Sequence, residues 1–237
     1  MRYAWAVESH VGRVRRGNED SLAPTTDGAG EGPVVIAVAD GMGGHVAGEV
    51  ASHLAIEAAM KGDPGDVDAH GRVSAANEAV AAAMRDDPDL SGMGTTLTLG
   101  IFRGDGTVQI GHVGDSRAYL LRNGELRQIT TDHTLVARLV ADGHISESEA
   151  RTHPRRHLVM QSIGMHNVDI EEAELQLEPG DRVLLCTDGL NSMIDDEAIA
   201  GLLADASPAE AAWRLIDAAN AAGGYDNTTV AVVDVTA

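Results

Sequence analysis

The chain has 237 residues, 43% of them hydrophobic, which is ordinary for a globular protein and enough for a sizeable core in one domain or two. Its 37 acidic against 17 basic residues leave a net charge of −20, which argues against nucleic acid or an anionic membrane as the main partner, because both reward Lys and Arg. A lone cysteine, Cys186, excludes an intramolecular disulfide and a thiolate zinc site, and no apolar run approaches the length of a membrane span.

The first ten residues lack a signal-peptide layout, so a cytoplasmic protein without membrane insertion is expected. Residues 3–9, YAWAVES, alternate as a strand does, and 34–40, VVIAVAD, form a short apolar run consistent with a buried strand. Val46, Val50, Leu54 and Ala58 then recur every fourth residue and predict one face of a helix. Residues 62–71 carry loop chemistry, and the Ala-rich stretch 73–84 predicts a second helix. Four strands are expected next, at 95–102, 107–113, 117–122 and 125–130, with Asp-Gly and Asn-Gly at the centres of two hairpin turns. Residues 134–164 turn polar and helical, broken at His153-Pro154. Strands resume at 169–177 and 181–188, helices follow at 195–204 and 208–222, and 227–235 closes as a strand. This order does not alternate strand with helix, so it predicts antiparallel sheets with helices segregated outside. No repeat, linker or domain boundary interrupts it, and one domain over 1–237 is expected.

One event recurs along this chain: an apolar strand runs into an aspartate beside glycine. It occurs at Asp40-Gly41, Gly114-Asp115 and Asp188-Gly189, while Asp226 follows two glycines just before the last strand. Asn18, Glu19 and Asp20 form a further polar edge near the N-terminus. Singly, each is ordinary turn chemistry. Together, carboxylates at several strand ends would repel unless a cation lay between them, and oxygen ligands suit Mg²⁺ or Mn²⁺ better than zinc. Familiar phosphate-binding loops are absent. "GMGGHV" has Val46 where a dinucleotide fingerprint needs its last glycine, and no Gly-Lys-Ser/Thr follows it. Cys186 has Ser192 six residues on, where a cysteine phosphatase needs arginine.

The motifs "RRGNEDS", "VADGMGGHVAGEVAS", "GMGTTLT", "GHVGDSRAYLLRNGELRQITTDHT", "HPRRH", "CTDGL" and "GGYDNTTVAVV" stand in the order and at the spacing of the bacterial 2C-type protein phosphatases. The chain resembles this family of metal-dependent serine/threonine phosphatases over nearly its whole length. It looks nearest to actinobacterial members that oppose membrane-anchored Ser/Thr kinases. The resemblance implies an α+β fold: an α-β-β-α sandwich of two antiparallel sheets flanked by helices, with a small flap at 134–164. It implies two core Mg²⁺ or Mn²⁺ ions held by Asp40, the Gly41 carbonyl, Asp188 and Asp226, and a third, weaker site at Asp115. Glu19 and Asp20 match carboxylates that hold metal-bound waters, and Arg15 matches the arginine that grips the substrate phosphate, with Arg13 and Arg16 as neighbours. A metal-bridged hydroxide would attack phosphorus in line, without a covalent enzyme intermediate.

His45 is the candidate proton donor to the leaving alkoxide, although animal relatives carry their histidine directly after the first Asp-Gly, where Met42 stands here. His157 follows "HPRR" where the family often has a small polar residue. The partners so implied are phosphorylated proteins and, opposing it, Ser/Thr kinases, with the chain acting as a monomer and touching no nucleic acid. The competing reading is a pseudophosphatase that binds phosphoproteins without turnover. Such proteins generally lose a metal aspartate, whereas Asp40, Asp188 and Asp226 are all present.

Overall fold

The computed structural model describes residues 1–43 and 45–237, the side chains of His45 and Val46 excepted. In chain order it contains β1 (Arg2–His10), β2 (Asp20–Ala23), β3 (Gly28–Glu31), β4 (Val34–Met42), α1 (His45–Ala59) and α2 (Ala69–Asp86). A 3₁₀ turn (Pro88–Leu90) leads into β5 (Gly94–Thr95), β6 (Leu97–Phe102), β7 (Thr107–Val113), β8 (Arg117–Arg122) and β9 (Glu125–Gln128). After α3 (Leu135–Ala141) and α4 (Glu147–Thr152) come β10 (Glu171–Gln176), β11 (Arg182–Cys186), α5 (Asp188–Asn191), α6 (Asp196–Leu203), α7 (Pro208–Ala221) and β12 (Thr228–Thr236). No described helix is long and apolar enough to cross a membrane.

The strands form two antiparallel sheets, one ordered β3-β1-β12-β11-β8-β9 and the other β10-β7-β6-β4-β2, with β5 pairing β4. Period-two alternation sends each central strand into two cores at once. On β12, Ala231, Val233 and Val235 enter the core between the sheets, while Val230 and Val232 face α6 and α7. On β4, Ile36 and Val38 enter the same central core, while Val35, Ala37 and Ala39 face α1 and α2. Helices thus cover both outer faces, giving the expected α-β-β-α sandwich. This explains why the central strands read as unbroken apolar runs: neither face meets water. Each fully buried aliphatic side chain there contributes about 1.5–3 kcal/mol.

Three local expectations change. The deepest positions of α1 are Ala51, Ala55 and Ala59, while Ile56 and the expected Ala58 are buried less completely and Val50 and Leu54 only partly. Small side chains let the helix lie close to the sheet, so its largest apolar residues do not mark its deepest face. The second helix begins earlier than its alanines suggest, because Asp68 caps it by accepting the Gly71 N–H at 2.8 Å. Its Arg72, buried, donates to the carbonyls of Ala59 (2.6 Å) and Asp63 (2.7 Å), so the 62–71 stretch folds back onto the end of α1. The short strands β2, β3 and β5 have no sequence signal of their own. The Asn-Gly hairpin forms as expected, with Asn123 and Gly124 at φ +53° and +81° joining β8 to β9.

Candidate metal centre

One end of the sandwich gathers the acidic residues. Asp40 lies near the end of β4 and pairs in register with Asp20 at the start of β2. Asp188 follows β11 as the first residue of α5, Asp226 precedes β12, and Asp115 follows β7. The strand ends are held by hydroxyls. Thr96 donates its backbone N–H to the Asp40 carbonyl (2.9 Å) and receives the Asp40 N–H on its Oγ1 (2.8 Å). Thr187 and Thr229 donate their hydroxyls to Asp20 Oδ2 at 2.9 and 2.7 Å.

The electrostatics are those of crowded carboxylates. Burial, then the charges of Asp20, Asp188, Asp115 and Asp226, hold Asp40 well above the usual carboxylate range. Burial followed by the neighbouring Asp226 also raises Asp188, which lies within hydrogen-bonding reach of the Asp40 carboxyl. Asp115 is pushed up to about 8 by burial and then by Asp188. Asp20 is pushed up to about 7, burial outweighing its threonine hydrogen bonds, and its buried Oδ1 has no partner. High proton affinity across such a set is high affinity for positive charge in general. The donors are all oxygens and one of them is an orphan, so the residues fit hard divalent cations.

Arg15 sits at the rim, half-exposed, and donates Nη2 to Asp226 Oδ2 at 2.7 Å. Among Arg13, Arg15 and Arg16, it is Arg15 whose guanidinium reaches this carboxylate, while Arg13 contributes its backbone N–H to the Gly224 carbonyl. Asn227 staples the arginine loop in place. Its Nδ2 donates to the carbonyls of Val11 and Gly17, both at 2.9 Å, and its Oδ1 accepts the Glu19 N–H at 2.8 Å. Asn227 stands inside the motif "GGYDNTTVAVV", which by itself assigns it no role. Its signal was the Asp-Asn pair at the strand entry.

Gly41 needs to be glycine for a reason beyond access to its carbonyl. A Cβ there would lie 2.1 Å from the Gly48 carbonyl oxygen of α1 and 2.6 Å from that of Glu19. The helix, the β2 edge and β4 therefore meet backbone to backbone at the centre. Glu19 packs its carboxylate against Gly48, and its carbonyl receives the Ser52 hydroxyl at 2.6 Å. His157, from the segment after α4, brings Nδ1 to 4.0 Å from Asp188 Oδ2 and is more than half exposed. The side chain of His45, the candidate proton donor, lies outside the described residues. His112, His133 and Glu171 form a separate donor group that sequence reasoning passed over, each contributing one ligand atom within 4.8 Å of the others.

The family model described as protein phosphatase 2C matches residues 10–221 of this chain. The chain is 46% identical to the serine/threonine protein phosphatase PstP of Mycobacterium tuberculosis, over 98% of its own length and 45% of that protein's. It therefore spans less than half the length of that relative. It is 36% identical to the serine/threonine phosphatase stp of Listeria monocytogenes, over 94% of this chain and 92% of that one. The crystal structure of the PstP catalytic domain in complex with two manganese ions superposes with a TM-score of 0.88 at 42% identity, covering all of both chains.

Proposed function

The chain belongs to the protein phosphatase 2C family, and we propose that it hydrolyses phosphoserine and phosphothreonine in proteins in a reaction dependent on Mg²⁺ or Mn²⁺. The observation that carries this reading is the gathering of Asp20, Asp40, Asp115, Asp188 and Asp226 into one cleft, four of them with raised proton affinity. The relative crystallised with two manganese ions supports the same cations here.

In this reading Asp40, Asp188, Asp226 and the Gly41 carbonyl hold two core ions, and Asp115 with Asp188 holds a third. Ions bound there supply Lewis acidity that makes water nucleophilic near neutral pH and offsets phosphoryl charge. Arg15 turns its forked guanidinium to the phosphoryl oxygens, a shape that matches them bidentately. Asn227 keeps the Arg15 loop within reach of Asp226. Glu19 and Asp20 accept hydrogen bonds from water in the cleft, a role that the partnerless Asp20 Oδ1 supports. His45, at the start of α1, delivers the proton to the leaving seryl or threonyl oxygen. The substrates are proteins phosphorylated by bacterial Ser/Thr kinases.

Release of phosphate from a phosphothreonine peptide, with Mn²⁺ and then with excess chelator, tests the proposal. Turnover should vanish with chelator and return when Mn²⁺ is restored; turnover that persists without metal would overturn it.

A further inference from the structure

Away from the aspartate cleft, three donor side chains from separate stretches of chain converge. His112 on β7 stands directly opposite Glu171 on β10 in the antiparallel register, which makes the two side chains neighbours on one face. His133, in the connection after β9, packs its ring against His112 with centroids 4.8 Å apart and planes at 52°. His133 Nε2 lies 3.5 Å from Glu171 Oε2. We propose that His112, His133 and Glu171 form a binding site for a zinc-class divalent cation, separate from the aspartate cleft, at the root of the α3–α4 segment.

The donor chemistry differs in kind from that of the cleft. Two imidazole nitrogens and one carboxylate oxygen are a zinc set, whereas an all-oxygen group suits Mg²⁺ or Mn²⁺. The surrounding hydrogen bonds orient the first ligand. The Thr98 hydroxyl lies 2.8 Å from His112 Nδ1 and 3.1 Å from the Ser116 carbonyl, so it can donate to either. His112 Nε2 donates to the Thr131 carbonyl at 3.2 Å; a cation takes the place of that proton, which passes to Nδ1, where the Thr98 hydroxyl accepts it while donating to the Ser116 carbonyl. A ligating histidine commonly donates its other ring N–H in this way.

The other two ligands are set by hydrogen bonds of their own. Glu171 stays below the ordinary glutamate range: burial opposes this, but hydrogen bonds from His133 and the Thr131 N–H outweigh it. Burial and the neighbouring His133 push His112 down to about 4, so its lone pair is not lost to a proton at neutral pH. His133 Nδ1 faces the Gly114 N–H at 3.3 Å, which puts the ring proton on Nε2, toward Glu171. A cation takes the place of that proton, which passes to Nδ1 as the long Gly114 contact is given up. Ligand atoms now within 4.8 Å must close to the ~3.3 Å spacing that tetrahedral Zn–N bonds of 2.0–2.1 Å impose. His133 and Glu171 are 16% and 26% exposed, which leaves an approach from solvent and room for water as the fourth ligand.

The position gives such a cation a mechanical effect. His133 donates its N–H to the Gly114 carbonyl and receives the Met160 N–H on its own carbonyl, both at 2.7 Å. Thr134 forms a bridge with Val159 beside it. One residue therefore joins the turn before Asp115 to both ends of the α3–α4 segment.

The test is equilibrium dialysis of the full chain against Zn²⁺ in excess Mg²⁺, which saturates oxygen sites, with Co²⁺ spectra as an independent readout. Wild type should retain one zinc per chain, and Co²⁺ should give the intense visible bands of a four-coordinate nitrogen-ligated site. Glu171→Gln and His133→Asn, both at the solvent edge, should weaken zinc binding at least about tenfold and abolish those bands. Asp188→Ala should keep both. The proposal is overturned if wild type retains no zinc, if the two edge variants retain it as well as wild type, or if Asp188→Ala loses it.

Discussion

Arg15 and Asp226 meet at 2.7 Å across the mouth of the cleft, with 48% and 34% of their side chains exposed. An ion pair that open to water contributes little to stability, so its value lies in where it holds the guanidinium. Charge-assisted hydrogen bonds are each worth about 1.5–3 kcal/mol, and 1.4 kcal/mol is a factor of ten. Arg15→Ala should therefore lower kcat/KM on a phosphothreonine peptide by about ten- to a hundred-fold, with the melting temperature and Mn²⁺ affinity close to wild type. Arg15→Lys should recover part of the loss, since lysine restores the charge without the fork. Steady-state kinetics of the two variants decide it, and wild-type kinetics in Arg15→Ala would move the phosphate clamp to another residue. Asp40, Asp115 and Asp188 were legible in the sequence because each follows an apolar strand beside glycine, and Asp226 because it stands at the entry of the last strand. Their convergence was legible only through the family resemblance, because nothing in spacing alone says that the ends of β4, β7 and β11 lie together. His112, His133 and Glu171 left no trace, since they come from three separate stretches and meet only once β10 pairs with β7.

At the scale of elements, the contact that shapes the cleft is α1 against the Asp40-Gly41 turn. Gly41 donates its N–H to the Glu19 carbonyl at 3.1 Å and lies under the Gly48 carbonyl of the helix. Adding one methyl group at Gly41 would push it into two backbone oxygens that no rotamer change can move. Gly41→Ala should cost about 1–3 kcal/mol, the range for overpacking, and weaken Mn²⁺ binding because Asp40 shifts with the turn. Chemical denaturation and metal titration of the variant measure the two effects; a variant matching wild type in both would show the turn to be looser than described. The long elements of this framework follow from pattern: β4, β11 and β12 are apolar on both faces, and α7 is amphipathic behind a Ser207 cap. Strands β2, β3 and β5 could not be read, because "DSLA", "GAGE" and "GT" owe their strand geometry to neighbours already in place. The face read for α1 packs against the core, Ala58 buried and Val50 and Leu54 partly so, but it is not the deepest one. Apolar size marks a candidate core side, but closeness to the sheet is set by Ala51, Ala55 and Ala59.

For the molecule as a whole, the cleft couples stability to pH and metal. Without metal, Asp20 and Asp115 titrate near about 7 and about 8 in the folded state, against about 3.9 for an unfolded aspartate. Between about pH 4 and 8 the folded chain then holds more protons than the unfolded chain, so stability falls as pH rises through that window. Melting temperatures in chelator should decline from pH 5 to pH 8, and Asp20→Asn should blunt the decline. Mn²⁺ should reverse the trend, because ionised carboxylates bind it and higher pH favours them. A flat profile in chelator would mean that the carboxylates are not crowded as described. The same crowding supports the proposal that the five aspartates line one catalytic metal centre. Asp188 touches most of it, lying within reach of Asp40 and coupled to Asp226 and Asp115. The most direct test is phosphate release from a phosphothreonine peptide by wild type and Asp188→Ala across a Mn²⁺ titration, with melting curves recorded alongside. The variant should fold, be at least as stable as wild type in chelator, and stay inactive at saturating Mn²⁺. Near-normal turnover by Asp188→Ala would contradict a single metal centre built around Asp188.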